Sequence, residues 1–211
     1  MIARIKQGDS DYQSALRDRL GHDAPACLYT MGDPAILRHR LLGFICSIQC
    51  PGSIVIKTLD AIRMLRDAGV TVVGGFHSPM EKECLDILLR GNQPVILCAA
   101  KGLVGLRIGQ TPREAVKDGR LLIVSPFAAN VRRTTPARAI QRNDLVAALA
   151  DALLVPYVAP GGKAWTAARN ALARRQTVYT FAGEENSSLI SSGAKPIEAR
   201  AIINAFESHA P

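Results

Sequence analysis

Aromatic side chains make up only 5% of this 211-residue chain, with a single Trp. Any sizeable core must therefore be built from Ala, Val, Ile and Leu. Such a composition suits a layered α/β protein with buried parallel strands. Long hydrophobic runs are missing too: none approaches the roughly 20 residues that a membrane-crossing helix needs. The opening stretch MIARIKQGDSDYQ has no apolar segment of the secretion-signal kind. The expectation is a cytoplasmic protein with no membrane partner. The five cysteines, Cys27, Cys46, Cys50, Cys84 and Cys98, include no C-x-x-C pair. A structural zinc site needs closer paired ligands, so they read as reduced, mostly buried thiols. Four histidines, His22, His39, His77 and His209, give no metal-ligand spacing. The nucleophile elbow G-x-S-x-G and the zinc motif H-E-x-x-H are absent, as are the Walker loop and G-x-G-x-x-G. No catalytic residue, metal or cofactor is called for, and the reading leans away from an enzyme.

What is present in excess is positive charge. The formal charge of +8 favours anionic partners such as nucleic acid or nucleotides without choosing among them. Apolar runs alternate with helix-like segments along the chain. Strands are read at Leu41–Ile48, VTVVGG (70–75), PVILCAA (94–100), GRLLIVSPF (119–127), ALLVPYV (152–158) and QTVYTF (176–181). Between them, Val55, Leu59, Ile62 and Leu65 share one helical face up to Gly69. Further helices are read at SPMEKECLDILLRG, TPARAIQRNDLVAALAD, GGKAWTAARNALARR and, last, PIEARAIINAFES. This alternation predicts an α/β, Rossmann-like fold: a mostly parallel sheet of about six strands with helices on both faces. Residues 1–27 are read as a polar, loosely attached N-terminal segment, and 28–211 as the Rossmann domain with its C-terminal helix.

Ligands of such sheets sit beyond the carboxyl ends of the strands. These positions are Ser47, Gly74 to Ser78, Ser125 and Ala159 to Lys163. Gly74-Gly75-Phe76-His77-Ser78 leads from a strand into a helix. Ser78 with Glu81 makes a capping box, and Pro79 fits the first helical turn. A helix start after a strand attracts anions, but the capping box uses some of the same N–H groups. A phosphate site and a plain tight turn both remain open. Pro160-Gly161-Gly162-Lys163 is the second strand-to-helix turn, with Lys163 and Thr166 able to reach a phosphate from the first helical turn. The third site is the basic cluster Arg132, Arg133, Arg138 and Arg142, followed by Asn143. Arg138 and Arg142 are four apart on a helix, and the cluster suits backbone phosphates.

Taken in order, these segments resemble the DNA-processing protein A (Smf) family within the Rossmann-like group that includes the LOG proteins. The family's entry motif matches LYTMGDPAIL (28–37), and its SGLARGID turn matches GGFHSPME (74–81). RNDLVAALADALLVPYV (142–158), GGKAWTAARNALARRQTVYTFAG (161–183) and LISSGA (189–194) match its later motifs. The resemblance implies binding of single-stranded DNA in natural transformation, hand-over to a RecA-type recombinase, and a homodimer as an available assembly. Carried over by position, it assigns the anion site to Ser47, Gly75, His77, Arg142, Gly162, Lys163 and Thr166; Gly74, Ser78 and Gly161 join them as phosphate or nucleotide contacts from the reading of the two turns. DNA contacts fall to Arg132, Arg133, Arg138, Arg142 and Asn143. Ile45-Cys46-Ser47-Ile48 stands where the family has VGSR, and a stripped-down member without the flanking helical and winged-helix-like domains is expected. A nucleotide-binding or nucleotide-sensing module is the alternative. A LOG-like phosphoribohydrolase is a weaker one, since Ala164-Trp165 replaces the Gly-Thr of PGGxGTxxE and no glutamate follows near Asn170.

Overall fold

The computed structural model describes residues 1–207. One nine-stranded sheet runs in the order β1-β2-β6-β5-β4-β3-β7-β8-β9. Its strands are β1 (Ile2–Lys6), β2 (Cys27–Met31), β3 (Leu41–Phe44), β4 (Thr71–Gly74), β5 (Val95–Cys98), β6 (Leu121–Ser125), β7 (Ala152–Leu154), β8 (Thr177–Phe181) and β9 (Lys195–Ile197). β1 and β2 are antiparallel to their neighbours. The seven from β3 to β9 are parallel. The mostly parallel Rossmann-like fold is as expected, with three strands more than the six read from sequence. The extra ones, β1, β2 and β9, carry only one or two buried residues each. They lack the continuous apolar run that marks a doubly covered central strand.

Alternate strand residues feed two core layers. Leu41, Val73, Ile96, Leu122 and Leu153 face one layer; Leu42, Val72, Val95, Leu121 and Leu154 face the other. The first layer is closed by α1 (Ser14–Leu20), α5 (Pro136–Leu149) and α6 (Lys163–Ala173). The second is closed by α2 (Gly52–Asp67), α3 (Pro79–Leu89), α4 (Gln110–Lys117) and α8 (Ile202–Glu207). A short helix, α7 (Ser187–Ser191), precedes β9. Burying each Leu or Ile contributes about 1.5–3 kcal/mol, so aliphatic side chains suffice where aromatics are few. Gly43 in β3 lets the first layer sit close: a Cβ there would collide with Leu153 and lie 2.8 Å from the Ala150 methyl.

The N-terminal segment is tied in rather than loose. β1 forms a sheet edge, Leu16 of α1 is fully buried, and the Tyr12 hydroxyl donates to the Pro25 carbonyl at 2.7 Å. The closing helix starts at Ile202 rather than at Pro196, because Lys195–Ile197 is drawn into the sheet as β9; Ser208 and His209 lie outside the described residues. All five thiols are free, as read. No helix of the described residues is long and apolar enough to cross a membrane.

The chain leaves β3 through β4, β5 and β6 in one direction, then returns to place β7, β8 and β9 on β3's other side. The strand order therefore reverses between β3 and β7, where ligands of doubly wound sheets are held.

Candidate functional site

Two loops interlock at the reversal point. After β3, the Ser47 N–H donates to the Tyr157 carbonyl at 3.0 Å. The Ser47 hydroxyl accepts from the Ala159 N–H at 3.0 Å, which leaves its hydrogen available to a ligand. The Cys46 thiol donates to the same Tyr157 carbonyl at 3.4 Å. The neighbouring Cys50 and burial raise the Cys46 pKa, and the neighbouring Cys46 thiol lowers that of Cys50. Ser47 is thus fixed beside the turn that opens α6.

That turn is Pro160–Gly162. Gly161 takes φ 78°, where only glycine is comfortable, and Gly162 caps the helix in an extended conformation without any side-chain partner. The first turn of α6 holds no acidic residue. Lys163 and Thr166 are exposed, with the Thr166 hydroxyl donating back to the Gly162 carbonyl at 3.2 Å. The leading N–H groups of a helix have no partner within it, so the α6 start presents unpaired amides, the positive end of the dipole and a lysine together.

The α3 start is built differently. Phe44, Gly74 and Leu154 share one level across β3, β4 and β7, so the two glycine turns do lie on the same rim. Yet the Glu81 carboxylate accepts from the N–H groups of both His77 and Ser78 at 2.9 Å, and the Ser78 hydroxyl accepts from the Glu81 N–H at 3.2 Å. Phe76, at φ 44°, folds its ring over Gly74 and stacks on Phe44 at 6.3 Å. A Cβ on Gly75 would collide with the Arg142 guanidinium. Both glycines make room for the protein's own side chains. His77 remains exposed at the rim while Ser78 is buried.

Arg142 is 7% exposed. It donates from Nη1 to the Gly75 carbonyl at 3.1 Å and from Nε to the Asn143 amide oxygen at 2.8 Å. Burial lowers its pKa, with the charge of Glu81 opposing that shift. Arg142 is therefore turned inward under the rim, with half-buried Asn143 bonded to it. Arg132 and Arg133 are exposed on the β6–α5 loop. Arg138 is half-buried and donates to the Arg133 carbonyl at 2.7 Å, so Arg138 and Arg142 share a helix but not a surface. Sequence reasoning passed over Lys101, half-buried, and Arg107, exposed, in the β5–α4 loop. That loop leaves the same carboxyl edge and is joined to the basic loop by the Gly102 N–H donating to the Val131 carbonyl at 2.8 Å. The run KGLVGLR between a buried strand and the next helix was the available signal. No group of three or more potential metal ligands occurs among the described residues.

The family model for DNA recombination-mediator protein A matches residues 3–208. The chain belongs to that family. Among solved structures, DNA processing protein A from Streptococcus pneumoniae superposes with a TM-score of 0.82 at 16% identity, covering 99% of this chain and 75% of that one. DNA processing protein A from Helicobacter pylori, a structure concerned with that protein's single-stranded DNA binding mode, gives 0.81 at 17% identity, covering 100% and 98%. The molybdenum cofactor binding protein of Rippkaea orientalis is similar more distantly, with a TM-score of 0.58 at 11% identity, covering 81% of this chain and 97% of that one. At these identities the likeness is one of fold. No curated protein matches by sequence.

Proposed function

We propose that this protein binds single-stranded DNA without catalysis, in the DNA processing that accompanies natural transformation, along the carboxyl rim of its sheet. The observation that carries the reading is the open, acid-free N-terminus of α6, with Gly161, Gly162, Lys163 and Thr166, beside Ser47 at the strand-order reversal. Family membership and the shared fold of the Helicobacter pylori protein, which binds single-stranded DNA, support the choice of DNA. Arg132 and Arg133, with Lys101 and Arg107, extend the positive rim for further phosphates, and His77 lies between. Gly74, Gly75, Ser78, Arg142 and Asn143 serve by shaping that rim. Hand-over to a RecA-type recombinase and a homodimer belong to the same reading through the family resemblance, and a cytoplasmic location through the sequence reading of reduced thiols.

The test is anisotropy of a labelled oligothymidylate against the same length of duplex, over a range of salt. Binding should be sequence-independent, and the log–log salt slope should be about 0.7 per phosphate contact for single strands. Base stacking adds on the order of 1–3 kcal/mol per base where aromatics line the path; this rim has few, so modest affinity is expected. Absence of binding at low salt, with saturable binding of a free nucleotide abolished by Lys163→Glu, would replace the DNA reading with the nucleotide-binding one.

A further inference from the structure

A cavity lies on the α1 side of the sheet and opens beside the β6–α5 loop of the rim. It has a volume of about 890 Å³ and runs along the outward side of α5, between α1 and the C-terminal end of α6. That size is within the roughly 300–1,000 Å³ range of small-molecule sites. Its mouth by the β6–α5 loop is walled by Phe127 and Arg138, its middle by Asp144 and Asn170, and its far end by Ala173 and Arg174. On α5, Arg138 and Leu145 are seven residues and about 10 Å apart, a length that suits one nucleotide.

Charge and hydrogen bonding point to what it takes. Arg174 is the cation that closes α6, and burial lowers its pKa, with Asp144 the opposing negative charge. Its Nε and Nη2 are shielded from solvent and have no acceptor. A desolvated guanidinium without an acceptor is costly, and the charge of an anion in the groove that Arg174 lines would offset part of that cost. Asp144 is itself poorly compensated: burial raises its pKa, although Asn170 donates to it at 3.2 Å. Its carboxylate can accept from an amino group, as acidic side chains do from base edges. Half-buried Phe127 offers an apolar face at the other end. A cation, a carboxylate and an aromatic wall, spaced along one groove, match phosphate, base edge and base face.

We propose that this cavity is a nucleoside-phosphate site, separate from the α6 start, with the phosphate at Arg174 and the base between Asp144 and Phe127. A free mononucleotide and the phosphorylated end of a strand share this chemistry. The proposal goes beyond the rim reading and does not depend on it. Titration calorimetry of the full chain with adenosine 5′-monophosphate should show saturable one-to-one binding. Arg174→Gln should weaken it about 10-fold or more, the scale of a lost charged hydrogen bond. Ala173→Phe, which fills the groove from an exposed position, should abolish it. Both variants should still melt cooperatively as folded proteins and keep the wild-type affinity for a 5′-hydroxyl oligothymidylate. A 5′-phosphorylated dinucleotide that competes better than the mononucleotide would identify a strand end as the source; the reverse order would identify a free nucleotide. Absence of saturable binding, or binding that survives both variants, would overturn the proposal, whatever the oligothymidylate does at the rim.

Discussion

α3 and α6 start on the same rim, each after a strand and a Gly-Gly pair, yet they do opposite things with a helix N-terminus. In α3 the third helical position is Glu81, whose carboxylate closes over the His77 and Ser78 amides. In α6 the corresponding residue is Trp165, with Lys163 at the first position and no side-chain cap. The α3 end is satisfied internally and pinned by buried Arg142; the α6 end is left with its dipole unanswered. A glycine pair after a strand therefore does not by itself mark a phosphate site. What stands three residues into the helix decides whether the amides are available.

The comparison breaks most sharply at Arg142. Replacing it by alanine should strip a donor from the Gly75 carbonyl and from Asn143, and leave buried Glu81 without its nearby cation. We expect a loss of about 3 kcal/mol in urea denaturation, the scale for uncoupling a buried charged group. Gly75→Ala, which drives a methyl into the same guanidinium, should cost about 1–3 kcal/mol. Neither change removes a ligand contact, so residual DNA binding in the folded fraction should stay near the wild-type value. A stable R142A protein that had lost DNA binding would return Arg142 to the contact surface.

Next in size is Lys163→Glu, which gives α6 the acidic first turn that α3 has. Stability should stay within about 0.5 kcal/mol, as at most exposed positions. Single-strand affinity should fall about 10-fold, equivalent to roughly 1.4 kcal/mol, with a shallower salt slope. Unchanged affinity would leave the α6 start with no role in DNA binding.

The rim itself was legible in the sequence because its determinants are local. The Gly-Gly turns and the Ser78–Glu81 box are each set within about one helical turn, and the structure has them where they were read; several strands end up to four residues before their apolar runs do. What could not be read was direction across elements. Arg138 and Arg142 share a helical face by spacing, but one packs toward the groove beside α6 and the other under Gly75. That outcome depends on the β4 loop, more than sixty residues away. β1, β2 and β9 escaped for a related reason. Strands at the sheet's margins with few buried residues have no strong apolar run, and only the pairing of β1 with β2, β2 with β6 and β9 with β8 makes them strands.

An effect confined to alkaline pH separates α3 from α6. Cys84 on α3 is pushed up to about 12 by burial, with Glu81 and Glu83 adding to the shift. A thiol that folding keeps protonated lends its full stability below the ordinary value of 9.0. That stability is lost as pH rises from 9 toward 12, since the unfolded chain releases its proton first. The slope from this group should reach about 1.4 kcal/mol per pH unit in that window. Cys84→Ala should show a lower stability at neutral pH and a flatter decline above pH 9. An equal decline in both proteins would mean that the thiol is not held as the structure holds it.

The finest test sets one hydroxyl against another. Ser78 accepts from the Glu81 amide in a buried cap, and its loss leaves an unmet N–H at a helix start; Ser78→Ala should cost about 1 kcal/mol. Thr166 is exposed, and its hydroxyl merely returns to the Gly162 carbonyl, a contact that water can replace. Thr166→Ala should change stability by no more than about 0.5 kcal/mol. Its effect belongs to the ligand, a lost phosphate contact lowering the single-strand salt slope by about 0.7. The two alanine variants should therefore separate cleanly, S78A moving the denaturation midpoint and T166A the salt slope. If T166A moved the midpoint as far as S78A, the α6 start would be a structural cap like that of α3, and the asymmetry on which the DNA reading rests would vanish.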